Sequence, residues 1–387
     1  MLDLKISDTI KYIGVDDADI DLFESQYIVP NGISYNSYLI LDDKIAIMDT
    51  VDRRKAPDWW NNLEGALEGR VPDYLVVQHL EPDHAGLVAE VANKYPNLKI
   101  VATPKAINML PLYFETEDLT PRCIAVNEAN TLSLGKHELQ FFHAPMVHWP
   151  EVMVTYDKAD QVLFSADGFG KFGILTHDED WACEARRYYF NICGKYGVQV
   201  QALLKKASGL DIKMICPLHG PILKENLGYY LGLYDTWSSY APEVDGIFIA
   251  YASIHGNTAK AANCLAEILR THGAPKVSVA DLSRDDMAEA VEDAFKYSKM
   301  IVCAASYDGS VFPPMHDFLH HLKLKAYQNR QVAIVENGSW APCAARVMHD
   351  MLSQMKNLEI VEDKVTIRGA MKATDLEALE VLAKKLI

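Results

Sequence analysis

The sequence predicts an α/β protein of two domains: residues 1–243, where short strands outnumber helices, and residues 244–387, an open parallel sheet with helices on both faces. Three observations predict it. The 387 residues exceed the usual size of one compact domain. The first part carries many short apolar runs, several alternating apolar and polar, whereas from about residue 246 five apolar runs alternate with amphipathic segments. Between the two patterns, Pro242 breaks a helical stretch, which places the linker at residues 238–245.

Composition bounds the function. With 49% hydrophobic and 23% charged residues the chain has material for true cores, which excludes wholesale disorder. A formal charge of −16 gains nothing from counterion release, so no nucleic-acid partner is expected. The first residues lack the basic start and apolar centre of a signal peptide, and no apolar run approaches the roughly 20 residues that span a bilayer, so no membrane association is expected. The seven cysteines form no C-x-x-C pair, which argues against a disulfide framework or a zinc or rubredoxin knuckle and favours a reducing cytoplasm.

Residues 37–50 read as a hairpin turning at Asp42 and Asp43, and further strands are expected at 73–78, 99–103, 138–144, 151–157, 162–167 and 213–217. Residues 84–95 read as a helix. In the second part, strands at 246–253, 277–282, 299–306, 331–337 and 362–369 alternate with helices at 257–273, 287–298, 315–322, 344–355 and 376–387.

The densest chemical signal is His79-Leu-Glu81-Pro-Asp83-His84, directly after the strand at 73–78. Four metal-ligand side chains fall within a turn, which can aim residues two apart at one centre. A polar turn in which Asp83 caps the following helix is the plainer alternative, but it leaves two histidines and a glutamate unexplained. His148, between two strands, and Asp167 and His219, each just past a strand and followed by glycine, share the same kind of position. His143 lies within an apolar strand and reads as structural; His137 and His177 read as surface or supporting residues. Trp149 and Tyr196 are candidates for lining the pocket over the metals.

These residues resemble the metallo-β-lactamase superfamily and, within it, the flavodiiron proteins. Zinc hydrolases of that superfamily show H-x-H-x-D-H, whereas Glu81 gives H-x-E-x-D-H, and a hard carboxylate in place of an imidazole suits iron. The resemblance implies a metallo-β-lactamase-like αββα sandwich with a dinuclear iron site. His79, Glu81 and His148 would hold one ion, Asp83, His84 and His219 the other, and Asp167 would bridge them. Gly168 stands where the family often has alanine, and His84 is the least secure ligand because its counterpart swings away in some relatives.

The strand at 246–253 runs into Ser253, Ile254, His255, Gly256, Asn257 and Thr258 and then a helix, a setting in which hydroxyls, backbone N–H groups and the helix dipole can cradle a phosphate. A capped polar turn is the plainer reading. Two more loops follow parallel strands: Ser306, Tyr307, Asp308 and Gly309, and Asn337, Gly338, Ser339 and Trp340. Together they resemble the three FMN loops of a flavodoxin-like domain with strand order 2-1-3-4-5. The resemblance covers essentially the whole chain.

It implies an oxidoreductase that reduces dioxygen to water or nitric oxide to nitrous oxide, in a head-to-tail homodimer or a dimer of dimers. Two ferrous ions and one reduced FMN hold the four electrons that dioxygen requires. No rubredoxin-like motif occurs in the chain, so rubredoxin or another reduced donor is the expected source of electrons. The alternatives are a zinc-dependent hydrolase with an appended flavodoxin-like domain and an electron carrier that uses only the flavin. Glu81 opposes the first and the set of seven candidate ligands the second.

Overall fold

The computed structural model describes residues 4–114, 118–177 and 180–387. They divide into two compact units: the chain up to Tyr189 with Val198–Asp235, and Phe190–Gly197 with Thr236–Ile387.

The first unit contains a six-stranded and a five-stranded sheet, beside two short two-stranded ones. The six-stranded one runs in the order Ile10–Tyr12, Tyr38–Ile40, Ala46–Met48, Tyr74–Val76, Lys99–Ala102, Cys123–Ala125. Tyr38–Ile40 and Ala46–Met48 form the expected antiparallel hairpin, and from Ala46–Met48 onward the neighbours are parallel. The five-stranded sheet runs Thr131–Ser133, Glu138–His143, Met153–Asp157, Val162–Phe164, Met214–Cys216, and only its last pair is parallel. Alternate residues of both sheets, among them Tyr38, Ile40, Met48 and Val76 from one and Leu139, Phe141, Met153 and Phe164 from the other, meet in one core. Residues one step out of phase, such as Leu39, Ile47, Leu75 and Ile100, are also fully buried, so both faces are covered as in an αββα sandwich.

Two details depart from the sequence expectation. The helix expected at 84–95 is two pieces, Pro82–Ala85 and Val88–Lys94. Gly86 lies in the break, where a Cβ would come within 2.8 Å of the Val51 carbonyl oxygen, so only glycine fits that approach. Strands of two or three residues at Ile10–Tyr12, Val15–Asp17, Leu22–Phe23, Tyr27–Ile28 and Ile33–Tyr35 were not anticipated, because such short segments carry no readable alternation.

In the second unit the strands lie in the order Val277–Asp281, Val244–Ala252, Tyr297–Tyr307, Gln331–Asn337, and then a fifth strand, which is the expected 2-1-3-4-5. The fifth strand is split into Glu359–Ile360 and Val365–Ile367, both paired to Gln331–Asn337. The polar residues Glu362, Asp363 and Lys364 lie between the pieces, and Lys364 Nζ turns to the buried Glu336 carboxylate at 3.3 Å. Ser310–Val311 adds a short antiparallel strand on Tyr297–Tyr307. Ile247, Ile249, Ile301 and Val335 pack under the helices Asn257–Thr271 and Ala373–Lys384. On the opposite face Phe248 meets Phe318 of the helix Pro313–Leu324 edge-on at 6.3 Å. Phe190–Gly197 joins this unit through Phe190, stacked on Phe295 at 4.2 Å, and through Gly194, whose carbonyl accepts from Tyr240 Oη. No described helix is long and apolar enough to cross a membrane.

Candidate metal centre and ligand cavity

Parallel strands end on one side, so the loops that follow them converge. His79, Glu81, Asp83 and His84 follow Tyr74–Val76; Asp167 follows Val162–Phe164; His219 follows Met214–Cys216. His148 lies between Glu138–His143 and Met153–Asp157. The structure brings all seven together in two neighbouring groups.

In the first group His79 Nε2 is 3.2 Å from Glu81 Oε2, 3.3 Å from His148 Nε2 and 3.3 Å from Asp167 Oδ2. His148 Nε2 is 3.0 Å from Glu81 Oε2 and 3.2 Å from Asp167 Oδ2. In the second, His84 Nε2 is 3.2 Å from both Asp83 Oδ2 and Asp167 Oδ1, and His219 Nε2 is 3.3 Å from Asp83 Oδ2 and 3.8 Å from Asp167 Oδ1. Donors about 2.1 Å from a shared ion sit at such separations. The two oxygens of Asp167 therefore address different groups, which is the geometry of a bridge.

Both carboxylate oxygens of Asp83 and of Asp167, both ring nitrogens of His84, and His219 Nε2 are buried without a hydrogen-bond partner. Buried polar atoms left unsatisfied in this number call for a ligand, and divalent cations supply one. Asp83 is not the helix cap of the plainer reading: it lies within Pro82–Ala85, whose N-cap is Glu81. Burial pushes the Asp167 carboxyl up, but His79, His148 and His84 outweigh it and hold the group well below the usual carboxylate range. Burial lifts Asp83 to about 7.

Surrounding residues orient the donors. Glu151 is fully buried; its Oε1 accepts from His79 Nδ1 at 2.8 Å and from the Leu80 N–H at 3.0 Å. This leaves His79 Nε2 as the free lone pair. His219 Nδ1 donates to the Ser34 carbonyl at 2.7 Å, and Asn36 Nδ2 ties down the carbonyls of Pro217 and Gly220. Asp49 grips the start of the first loop through the Gln78 N–H and Nε2. Sequence reasoning did not single out Glu151, Ser34, Asn36 or Asp49. Glu151 alone carried a signal, an acidic residue three positions after His148, whereas the others depend on partners distant in the chain. Glu151→Gln is expected to weaken metal binding by about 10- to 100-fold, measured by competition with a chelator.

Trp149 lies edge-on to the His79 ring at 5.1 Å, and Phe23, Tyr35 and Tyr188 surround the His219 ring at 5.4–6.0 Å. Tyr196 falls in the segment Phe190–Gly197 of the second unit. His143 Nε2 donates to the Val126 carbonyl at 3.1 Å, the structural role expected of it. Of the two histidines read as surface or supporting residues, His177 is exposed and His137 is buried.

The second unit has a cavity of about 510 Å³ at the strand ends. Of the fourteen residues named in the three loops, all but Gly256 line it. Gly256 instead takes φ +87° as N-cap of Asn257–Thr271, whose first N–H groups have no intrahelical acceptor and suit an anion. Some polar side chains organise the loops instead of facing the cavity freely. Ser306 Oγ accepts from the N–H groups of Cys343 and Ala344, and Asn337 exchanges two hydrogen bonds with Gly369. Trp340 is 90% exposed and Tyr307 44% exposed, which leaves aromatic faces at the rim. Cys343 and Gly369 also line the cavity and were not foreseen.

Comparison with known proteins agrees with this fold. Residues 33–220 match the family model of the ODP family beta lactamase. The chain is 28% identical over 361 residues to an anaerobic nitric oxide reductase flavorubredoxin of Vibrio vulnificus, covering 90% of this chain and 73% of that one. It is 28% identical over 391 residues to an uncharacterized protein of Methanocaldococcus jannaschii, covering 99% and 98%. Among solved structures it superposes on the rubredoxin oxygen:oxidoreductase of Desulfovibrio gigas with a TM-score of 0.92 and 25% identity, covering 99% and 97%. The flavodiiron protein of Giardia intestinalis shares the fold, with a TM-score of 0.92 at 23% identity over 100% and 97% of the chains.

Proposed function

We propose, for a chain that belongs to the flavodiiron proteins, that it is an oxidoreductase holding two iron ions and FMN and reducing dioxygen to water or nitric oxide to nitrous oxide. The observation that carries this reading is Asp167, whose two oxygens each face a separate group of histidines and carboxylates. Three carboxylates among seven donors favour a hard, redox-active metal, and Glu81 in place of an imidazole speaks against the zinc hydrolase alternative.

Residues 1–243 would form the iron domain and residues 244–387 the FMN domain. The irons and flavin supply the electrons and the Lewis acidity. The chain's own residues position and shield. Glu151 fixes the His79 tautomer, Ser34 fixes that of His219, and the rings of Phe23, Tyr35, Tyr188 and Trp149 crowd water away from the imidazoles. The Asn257–Thr271 helix start would take the FMN phosphate, with Tyr307 and Trp340 at the rim for the ring system. Electrons would come from rubredoxin or another reduced donor in the cytoplasm, with a head-to-tail homodimer or dimer of dimers as the working assembly.

The test is anaerobic reduction of the purified protein followed by rapid mixing with each gas. Two irons and one FMN per chain with fast reoxidation by dioxygen or nitric oxide support the reading, whereas zinc and hydrolase activity would overturn it. Gly338 gives a second check. A Cβ there would lie 2.8 Å from Pro342 Cα and 3.0 Å from Ser306 Oγ. Gly338→Ala is expected to cost about 1–3 kcal/mol in the flavin site, about 10- to 100-fold in FMN affinity by fluorescence titration, with iron content unchanged.

A further inference from the structure

The strand Met153–Asp157 ends on Asp157, Asp160 lies in the turn that leads on to Val162–Phe164, and His137 lies just before the strand Glu138–His143. Leu139 pairs with Asp157 across the sheet, so both turns lie at the same end of the sheet. This is the opposite end from His148 and Asp167, separated by the length of a strand, on the order of 15 Å. His137 and Asp157 are 2% and 0% exposed, and Asp160 is half-buried.

His137 Nε2 is 2.9 Å from Thr9 Oγ1, and its Nδ1 is 3.0 Å from Asp157 Oδ2. Asp157 Oδ2 also accepts from the Asp160 N–H at 2.9 Å, and Asp42 Oδ2 accepts from the His137 N–H at 2.7 Å. The remaining oxygens, Asp157 Oδ1 and Asp160 Oδ2, are buried with no hydrogen-bond partner. One donor atom from each of His137, Asp157 and Asp160 lies within 4.8 Å of the other two.

A protonated His137 paired with Asp157 accounts for Nδ1 and Oδ2 and leaves the two orphaned oxygens unexplained. Three carboxylates around one imidazole also leave a net charge of about −2 even when the ring is protonated. Two lysines close to the site in sequence pair with other carboxylates, Lys158 with Glu138 and Lys44 with Asp73. Burial pulls His137 down, but Asp157, Asp160 and Asp42 hold it above its ordinary value, as expected in a negative field.

We propose that His137, Asp157 and Asp160 form a third site, for a structural divalent transition cation such as zinc, which joins the two turns. An imidazole nitrogen with carboxylate oxygens is a zinc donor set, while calcium and magnesium prefer oxygen alone. With Nδ1 on the ion, Nε2 would carry the proton and donate it to Thr9 Oγ1, 2.9 Å away. Asp160 is the least buried of the three, and water would complete the coordination from its side.

The test uses the iron- and FMN-loaded protein equilibrated with zinc, desalted and analysed for metals, alongside Asp160→Asn and His137→Gln. The wild type is expected to retain about one more zinc per chain than either variant at equal iron and FMN. Zinc should raise the unfolding midpoint of the wild type but not of the variants, whose zinc affinity should be at least tenfold weaker. Equal zinc content and an equal zinc-induced midpoint shift in wild type and Asp160→Asn would overturn the proposal. If His137→Gln does not fold, Asp160→Asn, in a half-exposed turn, decides the matter alone.

Discussion

Asp167→Asn is expected to reduce iron from two ions per chain to fewer than one, lower turnover by about a thousandfold or more, and leave FMN bound. The carboxylate is fully buried and offers Oδ2 to His79 and His148 and Oδ1 to His84. An amide keeps the shape but has one acceptor oxygen and no charge, so at best it serves one ion. A metal site that loses a bridging anion loses several kcal/mol of electrostatic stabilisation, and each 1.36 kcal/mol is a factor of ten. Among the described residues, the cavity proposed for FMN is lined by residues of the second unit, so the flavin absorbance should not change. Metal analysis beside the visible spectrum checks both halves. Two tightly held irons in the Asp167→Asn variant would remove the bridging role.

Removing the metals is expected to make stability fall as pH rises from 6.5 to 9, by on the order of 3 kcal/mol. In the metal-free protein burial lowers the His148 imidazole, but the neighbouring Asp167 and Glu81 carboxylates outweigh it and carry the group from 6.5 up to about 9. A raised histidine stabilises fully below its unfolded value and loses that contribution as pH rises through its folded value. Asp83, lifted by burial to about 7, adds in the same direction: its penalty is absent below 3.8 and complete above about 7. Asp167 is held low, so its contribution is lost only in acid, below this window. With metals bound, the histidine lone pairs are occupied and the dependence should vanish. Urea midpoints of chelated and iron-loaded protein at both pH values test this. A chelated midpoint as high at pH 9 as at pH 6.5 would contradict it.

The site was legible in the sequence to different depths. His79 to His84 are a local motif, and Asp167 and His219 are marked by their place after apolar strands, so residue type and position named them. Glu151 sits in an unremarkable turn, and its role exists only because the loop carrying it returns to His79. The parallel strands of the second unit announced themselves by regular alternation with helices, whereas the fifth strand's division at Glu362 to Lys364 did not. At that division Lys364 reaches Glu336, a partner in another strand.

By itself the sequence determined the two-domain α/β plan and the seven metal-directed side chains, because periodic burial and short-range motifs are written in neighbouring residues. Only the tertiary structure decided which oxygen of Asp167 faces which histidines, that Asp83 lies beside His84 and His219 instead of capping a helix, and that His137 is buried between two aspartates. Those outcomes depend on register and on loops meeting across sheets, and chain segments more than a hundred residues apart, such as Ser34 and His219, fix them by contact.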